Sequence, residues 1–221
     1  MFCLPAWGWL PAPAPLPAGA AGEHGNTLAR RAWWLLIGAY FCAGFGYVVS
    51  ATFIVAILDR LPVLQGQGPW IWVLVGAAAV PSSFVWDRVA AGIGQVRALM
   101  LAYGLQIVSI VLPALSTGTA LNLLSAVLFG ATFVGIVSLT LALIGRRSPH
   151  NPAKAMARLT LSYGAAQIIA PAMTGYLVTA TGNYRGALWI TAAVMTLGVG
   201  LLWAFMRCDA APATSAGQRG N

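Results

Sequence analysis

Apolar residues dominate this chain in six long blocks, over 32–58, 70–86, 98–115, 120–144, 157–180 and 186–206. None shows the strict alternation of a half-buried strand, and most approach or exceed the roughly 20 residues that carry a helix across a bilayer. At 1.5 Å per residue the first block is roughly 40 Å of helix. The pattern predicts an all-α membrane protein with six transmembrane helices. The second block is the shortest and carries Pro81, which predicts a tilt or a break there. Ahead of the first block, residues 1–31 read differently. Proline alternates through LPAPAPLP at 10–17, so a continuous helix is excluded and an extended linker is expected. The first positive charge is Arg30 and prolines interrupt the apolar stretch, which is not the pattern of a cleaved signal peptide.

Composition agrees with that reading. Hydrophobic residues make up 59% of the 221 and charged residues 7%, too few to clothe a soluble core. The net charge of +8 raises the question of nucleic acid. Such a footprint clusters Lys and Arg on one face with aromatics interleaved, whereas here they sit singly or in pairs between apolar blocks. No nucleic-acid partner is expected; the partner is the lipid bilayer.

The positive charges also orient the chain. Arg30, Arg31, Arg88, Arg97, Arg146, Arg147, Lys154, Arg158, Arg207 and Arg219 fall on one side of a six-span topology, with only Arg60 and Arg185 on the other. Positive residues concentrate on the cytoplasmic side, so both termini, including the tail at 207–221, are expected in the cytoplasm. Trp33, Trp34, Trp70, Trp86 and Trp203 stand near the block ends, where an aromatic belt would place them.

Within the blocks no Asp, Glu, Lys, Arg or His lies deep. No catalytic residues, metal ligands or cofactor are expected, and the chain does not read as an enzyme. Cys3, Cys42 and Cys208 lack metal-binding spacing, and His24 and His150 fall in loops. The interior polar residues are uncharged and follow helical spacing. Thr160, Tyr163, Gln167 and Thr174 share one face of the fifth block with Pro171; Tyr40, Gly44 and Tyr47 share one of the first, with Ser50 beyond. Asn122, Ser125 and Thr132 add polarity to the fourth. Such stripes serve either as hydrogen-bonding glue between helices or as the lining of a solute path. The large polar heads of Tyr40, Tyr47, Tyr163 and Gln167 are the substrate-cavity candidates. The chain holds 25 glycines, and Gly38, Gly44, Gly46, Gly130 and Gly135 predict close helix approach.

Between the second and third blocks the chain reads WDRVAAGIGQVR from Trp86 to Arg97. This resembles the signature loop of the major facilitator superfamily, where Asp-Arg is followed by glycine and further basic residues. Asp87, Arg88, Gly94 and Arg97 match those roles, with more residues before the glycine and one basic residue after it. The resemblance implies a cytoplasmic loop whose carboxylate latches one conformation through charge-assisted contacts. Tyr163 through PAMTG at 171–175 and GNYRG at 182–186 resembles the eleventh helix of that superfamily. GFGYVVSATF from Gly44, AYGLQIVS from Ala102 and GATFVGIVS from Gly130 are similar to the C-terminal half of its YbfB/YjiJ-type branch. The resemblance covers about residues 30–206. It implies one half of a twelve-helix bundle, made of inverted three-helix repeats, with the first and fourth spans facing a central cavity. Gln106 on the third span falls to a supporting role.

The function expected is secondary transport of a small solute across a bacterial inner membrane by alternating access. One half holds half of such a site, so a separate N-terminal half or a second copy of the chain is the expected partner. Two rivals stand beside it: a truncated remnant that no longer transports, and a membrane scaffold.

Overall fold

The computed structural model describes residues 30–58, 61, 65–149 and 151–216. The expected linker lies outside them except for Arg30 and Arg31, as do Cys3, His24, Arg60, His150 and Arg219. The described residues form seven helices in order: α1 (Arg30–Leu58), α2 (Gly68–Ala79), α3 (Ser82–Ile93), α4 (Gln95–Leu115), α5 (Thr119–Arg147), α6 (Pro152–Thr181) and α7 (Tyr184–Ala216). Each of the six apolar blocks is helical. The second is broken at Val80–Pro81 into α2 and α3, which together form one apolar stretch, Gly68–Ile93.

Among the described residues, five stretches are long and apolar enough to cross a membrane: α1, the α2–α3 pair, α4, α5 and Tyr184–Cys208 of α7. The 30-residue α6 is long enough but falls short in hydropathy, because Thr160, Ser162, Tyr163, Gln167 and Thr174 interrupt its apolar residues. This is a multi-pass membrane protein.

Two boundaries differ from those expected. The segment expected as a loop over 86–97 is helical on both sides of one residue: Asp87 and Arg88 belong to α3 and Arg97 to the first turn of α4. Gly94 makes the whole reversal, with φ at +92°, a conformation that side-chain-bearing residues rarely adopt. The charges at 87 and 88 mark an exit from hydrocarbon without ending the helix. Likewise α7 continues past 206, the expected end of its span, to Ala216.

The helix ends follow local rules. Pro152 opens α6 behind Asn151, whose side chain accepts from the Lys154 N–H at 3.3 Å; Gly182 closes it in the left-handed conformation. Arg146 and Arg147 sit in the last turn of α5, where cations offset the helix dipole.

Packing centres on α1 and α5. α1 packs against α6 and α7, α5 against α4 and the α2–α3 pair, and α4 joins α7. Two approaches of helix to backbone use glycine. A methyl at Gly44 would stand 2.5 Å from the Tyr163 carbonyl oxygen of α6, and one at Gly130 would run into the Val75 carbonyl of α2.

Polar side chains clasp the bundle. Ser109 and Ser125 exchange bonds across α4 and α5, each hydroxyl donating to the other's carbonyl at 2.9 and 2.6 Å. The buried Tyr103 hydroxyl donates to Ala39 O at 2.8 Å, joining α4 to α1. Trp86, expected in an interfacial belt, is instead buried. Its ring fills the space that Gly135 leaves on α5, and its indole N–H donates to Ala131 O at 2.8 Å. Ser82 completes this joint, donating to Ala131 O at 2.8 Å and accepting from the Gly135 N–H at 3.1 Å. One hydroxyl thus touches both ends of a rung of the α5 ladder.

Candidate solute cavity

Four helices bring polar and aromatic side chains together near their midpoints. From α1 come Tyr40 and Tyr47, one face apart by seven residues; from α6 come Tyr163 and Gln167, one turn apart. The Tyr40 and Tyr163 rings lie 4.7 Å between centroids, and Tyr47 lies 6.0 Å from Tyr163. On its other side Tyr47 meets Phe133 at 5.3 Å and Phe129 at 5.9 Å, both from α5. These separations suit offset or tilted aromatic packing. Gly44 makes the arrangement possible, since the missing side chain lets the α6 backbone at Tyr163 close onto α1.

The four cavity candidates occupy one continuous cluster. Tyr40 is buried, while Tyr47, Tyr163 and Gln167 are half-buried. Gln167 lies beside the Tyr163 hydroxyl. The other stripe residues divide. Thr174 is buried and donates to its own helix at Ala170 O, 2.7 Å away, and Thr160 is exposed. Thr132 and Ser125 hydrogen-bond across to α4.

Against Tyr47 and Tyr163, though not Tyr40 or Gln167, is a small cavity, lined by Ala43, Tyr47, Gln106, Phe133, Ile136 and Tyr163, with space of about 10 Å³. That is room for about one water-sized group. Gln106 belongs to α4, yet it reaches this cavity and is 1% exposed. Its amide oxygen is paired with the Thr132 hydroxyl, and its amide nitrogen has no partner in the protein. A supporting role had been expected from its helix. The signal that points elsewhere was a large amide at mid-membrane depth, where any polar head needs a partner.

The latch candidates lie elsewhere. Asp87, Arg88, Gly94 and Arg97 are all exposed, spread along the end of α3, the turn and the start of α4. Arg88 places its guanidinium 4.5 Å above the Phe84 ring, a cation–π contact within its own helix. A residue that the sequence did not single out holds this corner to α5: the Gln95 side-chain amide donates to Leu139 O at 3.1 Å.

Chemically the cavity offers hydrogen bonds and aromatic faces. Its six lining residues include no carboxylate, amine or imidazole to move a proton or bind an ion. Among the described residues no group of three or more His, Cys, Asp or Glu is placed to hold a metal.

A family model described as "Uncharacterised MFS-type transporter YbfB" matches residues 1–203 of the chain. No curated protein matched it.

Proposed function

The chain belongs to the YbfB-type family of the major facilitator superfamily, and on that premise we propose that it carries a small solute across a bacterial inner membrane by alternating access. It crosses the membrane six times, α6 included, with both termini in the cytoplasm. The observation that carries the reading is the uncharged cluster of Tyr47, Tyr163 and Gln106 around a mid-bundle cavity. The low hydropathy of α6 supports it as well. A helix that lines a solute path has no need of an all-apolar surface, and polar groups facing lipid are costly.

The packing supports a pair of three-helix repeats. Exchanging α1 with α5, α6 with the α2–α3 pair and α7 with α4 turns the α1–α7 and α1–α6 contacts into the contacts of α5 with α4 and with the α2–α3 pair, and leaves α4–α7 in place. Gly44 against α6 then corresponds to Gly130 against α2. Repeats of this kind, inverted within a six-helix half, underlie rocking carriers. The bundle is accordingly one half of a carrier and works opposite a second six-helix unit.

The test is uptake into liposomes. The purified chain alone is expected to give no saturable uptake from a panel of small solutes under a proton gradient, and a co-reconstituted N-terminal half is expected to restore it. Saturable uptake by the chain alone would replace the two-half reading with a symmetric dimeric carrier. No uptake in either arrangement would remove the transport proposal in favour of a scaffold.

A further inference from the structure

Gln106 is a large polar side chain, almost wholly buried, with one end of its amide unpaired and a cavity against it. Leaving a buried amide unsatisfied is costly, and native structures seldom do so without a reason. Helix–helix bonding accounts for one end of the amide, which accepts from Thr132, and leaves the end that meets the cavity without a partner. Glue spends its polar atoms on other protein atoms, as Ser109 and Ser125 do in their reciprocal pair on the same two helices.

We propose that the free end of the Gln106 amide is a specificity-determining contact of the solute site, and that it receives the hydroxyl or carboxamide of a neutral solute lying against the Tyr47 and Tyr163 rings. The inference rests on the transport reading for its biological meaning. Three observations define the ligand. The cavity is water-sized, about 10 Å³, so it admits one polar group while the body of the solute lies outside it, on the aromatic wall of half-buried rings. That wall is Tyr47, Tyr163 and Phe133, which favours a planar or apolar body. No charged side chain lines the cavity, and an ion brought there would lose its hydration without a countercharge. The solute is therefore neutral at that end.

Thr132 explains why the group both donates and accepts. Its hydroxyl reaches the Leu128 carbonyl at 2.7 Å and the Phe129 carbonyl at 3.2 Å as well as Gln106. It has a single proton for three acceptors. With that proton on Leu128, the Gln106 amide turns its N–H to Thr132 and its carbonyl to the cavity; with it on Gln106, the N–H faces the cavity. Hydroxyls and carboxamides complement either orientation.

The experiment uses the full chain in detergent and measures binding of benzamide, benzyl alcohol, toluene and benzoate by calorimetry. Wild type is expected to bind benzamide and benzyl alcohol more tightly than toluene, and benzoate least. Gln106→Met, which keeps the bulk, is expected to weaken benzamide by roughly three- to tenfold, the loss of one net hydrogen bond, while toluene is unchanged. Retained toluene binding shows that the variant is folded, and Gln106→Asn, which withdraws the amide, is the second variant and should weaken benzamide in the same direction. Equal benzamide binding by wild type and both variants would overturn the proposal, and leave the cavity as the seat of a resident water. Failure of wild type to prefer benzamide over toluene would also overturn it. Amide-dependent binding without transport in any arrangement would remove the transport reading and leave this contact standing.

Discussion

Asp87 and Trp86 are neighbours in sequence and behave in opposite ways. Trp86 turns inward, fills the gap at Gly135 and is tied to Ala131; Asp87 turns outward and is exposed. An exposed side chain on a helix contributes little to stability, within about 0.5 kcal/mol in most cases. If the family's signature role carries over to Asp87, its effect belongs to the balance between conformations and hardly at all to the fold. We therefore expect Asp87→Asn in a reconstituted transporter to slow turnover while thermal stability in detergent stays unchanged. A charge-assisted hydrogen bond present in one state and absent in the other shifts a two-state balance by about tenfold, which sets the scale of the loss. Unchanged transport by Asp87→Asn would reduce it to an ordinary surface carboxylate. Arg88, already stacked on Phe84 of its own helix, is the useful comparison, since its removal costs a local contact as well as a charge.

Between elements, the closest approaches are those without a side chain in the way. Gly44 on α1 faces the Tyr163 backbone and Gly130 on α5 faces the Val75 backbone. Backbone cannot move aside as a flexible side chain can, so a methyl at either position separates two helices. Gly44→Ala and Gly130→Ala are each expected to destabilise by about 1–3 kcal/mol, as overpacking does. Gly104→Ala, where a methyl meets nothing within 4 Å, is expected to stabilise by up to about 1 kcal/mol through helix propensity. Thermal unfolding in detergent checks all three; equal effects would mean that the two contacts do not hold the bundle. The positions of Gly44 and Gly130, the six apolar blocks and the break at Pro81 were all legible in the sequence, because they depend on local spacing. The α3–α4 corner was not. Charge at 87 and 88 announced the end of the hydrocarbon stretch, and a helix can continue beyond it until a residue such as Gly94 turns the chain. Tyr40, Tyr47 and Tyr163 could be grouped from helical spacing, since each helix presents them on one face. Gln106 could not join them on that basis, because its reach to the cavity depends on how α4 lies against α1 and α5, which is a tertiary property. Trp86 had the same difficulty: its indole went to the space left by a glycine 49 residues further on.

For the whole molecule, the arrangement in the membrane rests on the ten-to-two split of positive charges between the two sides of a six-span chain. The split depends on α6 crossing, and α6 is the helix whose hydropathy alone does not require it. If α6 lay outside the hydrocarbon, the turn at 182–183 and everything beyond it would change sides. Labelling single cysteines with an impermeant thiol reagent decides this. The background should replace Cys3, Cys42 and Cys208; Cys42 is buried and calls for Ala. Cysteines placed at Gly118, between α4 and α5, and at Asn183, between α6 and α7, are expected to react from outside intact cells. Cysteines at Asn151, before α6, and at Asn221 are expected to react only after the membrane is opened. Labelling at Asn183 is the informative arm, because it requires α6 to have crossed; Asn151 protected together with Asn183 would place both ends of α6 on the cytoplasmic side and overturn the six-span arrangement. The physical reason to expect crossing is its packing. α6 lies along α1 in one of the largest contacts of the bundle, with the Gly44 approach near its midpoint. A helix held that closely against a membrane-spanning neighbour shares its depth, and Tyr163 and Gln167 are then carried to the middle of the bilayer by α1 as much as by α6 itself.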